Sequence, residues 1–166
     1  MRIRRHIAGL LAALVVGAVG ATAVATPASA ASLGPFRIVH NSGFCLEVPE
    51  GNYGWYTQLR LAPCHSYAYQ QFTLVETGVP WQFYIQTYHW YCLDVGSWST
   101  APDARIVQWP CSWTPNQRFQ AISVNSYEWK LQAEHSGYCM RVHYPGLGQG
   151  TVQGYCNDTN ALWRFR

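Results

Sequence analysis

The chain has 166 residues, enough for one domain with a sizeable core, and only 11% of them are charged while 15% are aromatic. Three of its 11 basic residues lie among the first five positions, so the rest of the chain carries eight basic and eight acidic residues and is formally neutral. A neutral surface without a cluster of Lys or Arg excludes the electrostatic footprint of proteins that bind DNA, RNA or an acidic membrane.

Residues 1–30 have the three parts of a secretory signal peptide. A start with three arginines precedes an apolar stretch of small residues from Ile7 to Ala25, and Ala28-Ser29-Ala30 then offers a cleavage site. The alternative is an uncleaved membrane anchor, because the stretch is long enough to span a bilayer. The Ala- and Gly-rich core and the A-x-A end favour cleavage. We therefore expect a secreted protein that begins at Ala31 and has no membrane attachment after cleavage.

Beyond residue 30 the sequence repeats itself three times with a shift of about 47 residues. Three cysteines stand at positions 45, 92 and 139, and three more follow at 64, 111 and 156. Each of the first three has an aromatic residue before it, Leu or Met after it and Val three positions on. Such a repeat indicates equivalent structural units. We place them at about 36–80, 81–128 and 129–166 in one domain, after a short lead-in at 31–35.

An even number of cysteines in an exported chain predicts a disulfide framework. Equivalent units should form equivalent bonds, which predicts three disulfides within the repeats: Cys45–Cys64, Cys92–Cys111 and Cys139–Cys156. Each unstrained bond would contribute about 3 kcal/mol by closing a short loop. Zinc ligation would need closely spaced Cys or His, and gaps of 17 to 19 residues do not offer that.

The units are composed of short strands, because aromatic and β-branched segments alternate with turns and no sustained 3.6-residue apolar period is present. The predicted strands, four to a unit, are Phe36–Val39, Cys45–Val48, Leu59–Leu61 and Gln71–Val75, then Trp81–Thr87, Cys92–Val95, Ile106–Trp109 and Arg118–Val124, then Trp129–Ala133, Cys139–Val142, Thr151–Gln153 and Trp163–Phe165. Three copies of four strands predict an all-β domain with pseudo-threefold symmetry.

The second unit carries the most complete motif: Cys92-Leu93-Asp94-Val95, then Trp109-Pro110-Cys111, then Asn116-Gln117-Arg118-Phe119. In order and spacing it resembles the ricin-type β-trefoil lectins and carbohydrate-binding modules, whose repeats carry Gln-x-Trp after the second cysteine. The first unit has the equivalent Gln70-Gln71-Phe72, and the third has lost the Gln. The resemblance covers residues 36–166. It implies a β-trefoil that binds a glycan or polysaccharide, with galactose- or xylose-type sugars.

The resemblance also implies a sugar site made of Asp94, Trp109 and Asn116, with Gln117 behind them. A flat aromatic face packs against the C–H side of a pyranose, and a fixed carboxylate accepts its hydroxyl donors. The family often has Gln where Val107 stands, and the adjacent Gln108 should point to the opposite face of its strand. The alternative is structural, with the acid holding a turn and the indole in the core. Joint presence in one unit favours a site.

The other two units lack this combination. The first has Glu47 for the acid, but Ala62 at the aromatic position and Tyr69 at the Asn position. The third has Arg141 at the acid position and Gly154 at the aromatic one, and an Arg side chain has no acceptor. We therefore predict one competent site out of three.

Three further expectations concern Gln117 and two tryptophans. Gln117 is the least secure site residue, because Gln70 recurs in a unit without a predicted site and its role could be to fix the backbone. Trp98 and Trp113 lie in loops of the second unit, where they either extend an aromatic platform or are partly buried surface residues; we favour the second interpretation.

Three classes of function remain open. A secreted lectin-like module is the first, and an interaction or inhibitor protein with a vestigial sugar site is the second. A carbohydrate-active enzyme is the third, but the sequence has no H-E-x-x-H or G-x-S-x-G motif and nothing indicates a glycosidase carboxyl pair. We predict no catalysis, no metal and no cofactor. We expect a monomer whose affinity for a monosaccharide is weak, roughly millimolar or about −4 kcal/mol.

Overall fold

A computed structural model of the protein describes residues 31–166, and the proposed signal peptide at 1–30 lies outside the described residues. The described part is built from short β-strands connected by turns and single-turn 3₁₀ helices. The strands are β1 (Ser32–Phe36), β2 (Ile38–His40), β3 (Cys45–Glu47), β4 (Thr57–Gln58), β5 (Arg60–Ala62), β6 (Phe72–Glu76), β7 (Gln82–Thr87), β8 (Tyr91–Val95), β9 (Ile106–Pro110), β10 (Arg118–Ser123), β11 (Trp129–Ala133), β12 (Cys139–Arg141), β13 (Val152–Gly154) and β14 (Trp163–Phe165).

Threefold repetition governs the strand pairing. The middle two segments of each unit form an antiparallel hairpin, which is β3–β5, β8–β9 or β12–β13. The last strand of each unit pairs with the first strand of the next, as β6–β7, β10–β11 and β14–β2. The β14–β2 pairing joins the last unit to the first and closes the barrel. The fold is the predicted β-trefoil, with pseudo-threefold symmetry.

The segment at 31–35 differs from the expectation of a simple lead-in. Ser32 and Leu33 pair with Val75 and Leu74, so β1 extends the sheet along β6. The backbone groups of β6 would otherwise face solvent at this edge, and a paired edge is satisfied. The 3₁₀ helices were not predicted from the sequence either, and they are Pro49–Gly51, Ala68–Gln70, Gly96–Trp98, Pro115–Gln117 and Thr159–Ala161.

The recurring apolar residues of the motif fill the barrel. The six that flank the acid position are 0% exposed: Leu46, Val48, Leu93, Val95, Met140 and Val142. The aromatic residues of the Gln-x-aromatic element or its equivalent, Phe72, Phe119 and Trp163, are also at most 1% exposed. Each fully buried side chain of this size contributes about 2 kcal/mol relative to exposure. Strand side chains alternate between the two faces. The residue at the acid position lies between the buried Leu or Met and the buried Val, so its side chain points away from the core.

The three disulfides form as predicted, and each lies within one unit. They are Cys45–Cys64, Cys92–Cys111 and Cys139–Cys156. In each pair the first cysteine lies in the first strand of a hairpin, and the second follows the hairpin's other strand. The bond therefore fixes the loop that carries the last part of the motif beside the strand that carries the acid position.

Contacts between units bring the first unit against the second. β4 pairs with β9 through Thr57 opposite Gln108, and the buried Gln108 Nε2 donates to the Asn52 and Gly54 carbonyls at 2.7 and 2.9 Å. The Gln108 side chain thus points away from the acid face of its hairpin, as the strand period predicts. Its contacts hold the segment around Tyr56 against the second unit.

Candidate functional site

Asp94 leaves β8 on the face opposite the barrel core. The residue is 5% exposed. Its Oδ2 accepts hydrogen bonds from Asn116 Nδ2 at 2.9 Å and from Gln117 Nε2 at 2.8 Å. Its Oδ1 accepts none from the residues the structure describes, and it is not a buried unpaired atom. One oxygen of the carboxylate is therefore held by the protein, and the other is open to a ligand.

The charge state of Asp94 follows from this placement. Burial raises the pKa of the carboxyl to about 6, while the hydrogen bonds from Gln117 and Asn116 lower it. Two amide donors on one oxygen favour the ionised form, and desolvation opposes it. At neutral pH the group is mainly an anion and thus a strong hydrogen-bond acceptor.

Asn116 belongs to the 3₁₀ helix Pro115–Gln117, which follows the second cysteine of the unit. Its Oδ1 accepts a hydrogen bond from Thr114 Oγ1 at 2.7 Å. Because the amide oxygen is engaged in this way, the amide nitrogen must face Asp94. One N–H serves Asp94, and the other makes only a long 3.5 Å contact with the Val95 carbonyl.

Gln117 is fully buried and fixes the loop behind the site. Its Oε1 accepts from the backbone N–H groups of Ser112 and Trp113 at 2.9 and 3.2 Å. Its Nε2 donates to the Pro110 carbonyl at 3.0 Å as well as to Asp94. Every polar atom of this side chain thus has a protein partner, and Gln117 acts as a positioning residue.

A cavity of about 310 Å³ opens beside the Asp94 carboxylate. Trp109, on β9, is 38% exposed and forms one of its walls. The structure therefore brings three of the four sequence-predicted residues to one cavity and places Gln117 behind it. The lining residues are Tyr56, Asp94, Ser97, Trp98, Trp109, Ser112 and Asn116.

Tyr56 reaches this cavity from the first unit, and the sequence motif did not reveal it. Its hydroxyl lies 2.9 Å from Ser97 Oγ, and its ring packs edge-on against Trp109 with centroids 6.1 Å apart. Aligning the three units compares only equivalent positions within each unit. It therefore cannot reveal a residue that one unit contributes to the site of another. The available signal was the aromatic loop Tyr53-Gly54-Trp55-Tyr56, which follows the first acid position.

Three lining residues have an unusual backbone conformation. Tyr56, Ser97 and Trp98 have φ values of 62°, 58° and 54°, in the left-handed region that non-glycine residues rarely adopt. Each such residue costs on the order of 1 kcal/mol and persists only where its surroundings hold it, often at ligand sites. Trp98 thus belongs to the cavity, whereas Trp113 packs edge-on against Tyr84 at 4.9 Å outside it.

The first unit uses its acid differently. Glu47 Oε1 accepts from Arg60 Nε and Nη2 at 3.2 and 3.0 Å, and its Oε2 accepts from Gln70 Nε2 at 2.9 Å and lies 3.0 Å from His65 Nε2. Both oxygens are occupied by the protein. Ala62 at the aromatic position is 4% exposed and offers no flat face.

The third unit fills the equivalent position with a cation. Arg141 donates from Nη1 to Asp158 at 3.2 Å and from Nη2 to Asp103. A Cβ added to Gly154 would collide with the Arg141 side chain at Nε. The arginine therefore occupies the space in which a side chain at the aromatic position would lie.

We also searched the described residues for a metal site and for a membrane-spanning helix. Within 31–166 no group of three or more His, Cys, Asp or Glu side chains is arranged to hold a metal ion. The same stretch contains no helix that is long and apolar enough to cross a bilayer.

Structural comparison places the fold among known β-trefoils. The designed threefold-symmetric protein ThreeFoil superposes with a TM-score of 0.74 at 25% identity, over 78% of this chain and 96% of that one. The exo-β-1,3-galactanase 1,3Gal43A from Clostridium thermocellum gives 0.72 at 21% identity, over 79% of this chain but only 29% of the enzyme. The Rhizoctonia solani agglutinin gives 0.68 at 15% identity, over 82% and 94% of the two chains.

Sequence comparison gives the family directly. No curated protein matches the chain. The family model described as the ricin-type beta-trefoil lectin domain matches residues 34–165, which is nearly all of the described part. The match to a lectin family supports a carbohydrate-binding role. The chain therefore belongs to the ricin-type β-trefoil lectin domain family.

Proposed function

We propose that this protein is a secreted, non-catalytic carbohydrate-binding protein with one competent sugar site, in its second unit. One observation carries the proposal: a carboxyl group with an open oxygen and a partly exposed indole line the same cavity. A pyranose presents both an apolar C–H face and hydroxyl donors, and these two groups match it.

The chemistry of binding follows from the groups that line the cavity. The C–H face of the sugar packs on Trp109, and a hydroxyl donates to Asp94 Oδ1 in a charge-assisted hydrogen bond. The second N–H of Asn116, which has only the 3.5 Å contact with a carbonyl, donates to a sugar oxygen. Tyr56 and Ser97 supply hydroxyls at the rim. A cavity of about 310 Å³ is at the small end of ligand pockets and suits one or two sugar residues.

The number of carboxyl groups that line the cavity supports binding without catalysis. A glycosidase needs two carboxyl groups on either side of the bond that it cleaves. Among the described residues that line the cavity, Asp94 is the one with a carboxyl group. The cavity thus offers an acceptor for a hydroxyl but no acid and base pair.

Secretion is supported by two features of different kinds. The first 30 residues have the pattern of a signal peptide. All six cysteines of the described part are disulfide-bonded, and such bonds persist in oxidising compartments. For the ligand, the family suggests galactose- or xylose-type sugars. The similar galactanase acts, by its name, on a β-1,3-galactan, so β-1,3-galactan and xylan are the first polysaccharides to test.

A pull-down on insoluble polysaccharides, supported by a glycan array, tests the proposal. The protein from residue 31 onwards is compared with Asp94→Ala and Trp109→Ala, and with Tyr127→Ala as a matched control, because Tyr127 is 76% exposed and lies outside the cavity. Wild type and the control should bind, and both site variants should not bind while remaining folded by circular dichroism.

Two binding results would contradict the proposal. Equal binding by all four proteins would place the site elsewhere, and no binding to any glycan would favour an interaction protein on a trefoil scaffold. Incubation with each polysaccharide, followed for new reducing ends, tests catalysis separately. Release of reducing sugar by wild type but not by Asp94→Ala would show that the protein is an enzyme.

A further inference from the structure

A partly exposed aromatic band begins at the edge of the cavity and crosses the surface between the first and second units. We define the aromatic band by six side chains: Trp55, Tyr91, His89, Tyr53, Tyr88 and Tyr69. Two of them are largely exposed, Trp55 at 63% and Tyr53 at 72%. Contiguous exposed aromatic surface of this kind indicates a binding surface more often than an isolated exposed residue does.

The band is continuous with the candidate sugar site. The Trp55 ring packs against Trp109 with centroids 5.9 Å apart. Trp55 Nε1 donates to the Tyr91 hydroxyl at 3.1 Å, and the Tyr91 ring lies 6.3 Å from His89. The Trp109 wall of the cavity is thus the first ring in a row that leads outwards from it.

The row continues across the first unit. The His89 ring lies 3.6 Å from both Tyr53 and Tyr88, and the Tyr88 ring lies 6.5 Å from Tyr69. Tyr67, which is 61% exposed, stacks on Tyr69 at 5.4 Å and lengthens the row by one ring. Neighbouring rings along the whole path are therefore in contact or nearly so.

Hydrogen bonds hold the middle of the band in place. The carbonyl of Gly51 accepts from the Tyr88 hydroxyl at 2.9 Å and lies 3.1 Å from His89 Nε2. Gly51 has a φ of 70°, and a Cβ at this position would meet the Tyr88 hydroxyl at 2.8 Å. A glycine is therefore required for this approach. Rings fixed in this way lose little conformational entropy when a ligand binds.

We propose that the aromatic band is a row of additional sugar subsites, on which a neutral polysaccharide chain lies when one of its residues occupies the cavity. This inference rests on the proposed function and specifies its ligand as a chain rather than a single terminal sugar. Trp55 and Tyr53 expose ring faces for C–H groups, and the tyrosines of the band carry hydroxyls for sugar oxygens. An uncharged polymer with alternating apolar faces and hydroxyls matches this surface.

Chain length is the property that separates this proposal from a single-sugar site. If the band contributes, affinity rises with each sugar residue that reaches it, because the additional contacts are intramolecular once the first residue is bound. We expect a hexasaccharide to bind at least about tenfold more tightly than a disaccharide of the same sugar, about 1.4 kcal/mol.

Isothermal titration calorimetry with xylobiose and xylohexaose, and with β-1,3-galactan oligosaccharides of the same two lengths, provides the test. Tyr53→Ala removes a ring that is in the band but does not line the cavity. It should lower the hexasaccharide affinity about tenfold, to the level of the disaccharide, and leave the disaccharide affinity unchanged. Tyr127→Ala, which removes an equally exposed tyrosine elsewhere, should change neither.

The outcomes distinguish the two proposals. If Tyr53→Ala binds both lengths as wild type does, the band has no sugar subsites and the inference is overturned. If it weakens both lengths equally, the band is not a separate subsite, which also overturns the inference. If Asp94→Ala binds both lengths normally, the proposed function fails, while a length effect lost in Tyr53→Ala would still support the band. If wild type binds neither sugar at either length, both proposals are contradicted.

Discussion

Glu47 in the first unit and Asp94 in the second occupy equivalent strand positions, and both are nearly buried, at 3% and 5% exposed. Each accepts a hydrogen bond from the Gln of its own unit, Gln70 or Gln117. Glu47 also contacts Arg60 and His65, so both of its oxygens are used within the protein. Asp94 has two amide donors on one oxygen and leaves the other open.

This difference shows that the repeat conserves a scaffold more strictly than a site. The same Gln contacts recur in both units: Gln70 accepts from His65 N at 2.9 Å and donates to Pro63 O at 2.9 Å, as Gln117 does with Ser112 and Pro110. The shared part therefore fixes the loop, and the remaining neighbours of the acid decide whether it can receive a ligand.

The largest expected effect is on binding. Asp94→Asn should lower polysaccharide affinity by at least about 100-fold, because the open anionic acceptor is replaced by a neutral amide. Glu47→Gln should change the affinity less than about twofold, since that carboxylate has no free oxygen. Affinity electrophoresis of both variants beside wild type measures this, and comparable losses in the two would contradict the division of roles.

The second prediction concerns the pH dependence of stability. The pKa of Asp94 in the folded protein is about 6, above its ordinary value of 3.8. The folded state thus binds the proton more tightly than the unfolded chain, and stability falls as the pH rises from about 4 to 6. Asp94→Asn does not carry this cost of burying a charge, so it should be more stable than wild type at neutral pH by about 3 kcal/mol.

Urea denaturation of wild type and Asp94→Asn at several pH values measures the difference in free energy of unfolding. The difference should shrink towards zero below about pH 3, where Asp94 is protonated in both states. A difference that does not vary between pH 4 and 7 would show that the carboxyl has an ordinary pKa. Glu47→Gln, measured in parallel, controls for the loss of a carboxyl group in general.

The third prediction compares the two glutamines. Gln117→Ala and Gln70→Ala should each lower the free energy of unfolding by about 1–2 kcal/mol, because each leaves backbone N–H groups and a carboxylate with fewer partners. Thermal or urea unfolding of the pair measures this. Gln117→Ala should also weaken glycan binding a few-fold through the loop, whereas Gln70→Ala should not. A binding loss as large as that of Asp94→Asn would instead make Gln117 a direct ligand contact.

The smallest expected effect is at the residue contributed across units. Tyr56→Phe removes the hydroxyl that contacts Ser97 at 2.9 Å but keeps the ring against Trp109. An exposed neutral hydrogen bond contributes about 0.5–1 kcal/mol, so the affinity should fall about two- to fivefold. Calorimetric titration measures the glycan affinity of this variant, with Tyr127→Phe as the control. An unchanged affinity would show that the Tyr56 hydroxyl does not contribute to binding.

The sequence alone determined the architecture of this protein. Equal cysteine spacings predicted the three disulfides, and the repeated strands predicted the trefoil. The alternation of strand side chains predicted that Asp94 and Gln108 lie on different sides of their hairpin. These features depend on periodicity and local pattern, which the chain carries at every copy of the repeat. The β1 extension lies outside the repeat and was missed. The 3₁₀ helices recur with the repeat, but a single turn is too short to show a helical period, so they were missed as well.

Only the tertiary structure decided how each unit uses its acid position. Tyr56 reaches Ser97 across 41 positions of the chain, and Arg141 reaches Asp103 across 38. The occupancy of both Glu47 oxygens likewise depends on how Arg60 and His65 are placed by the fold. Hydrogen bonds act over about 3 Å, so they depend on where folded loops meet, and no sequence period encodes that distance.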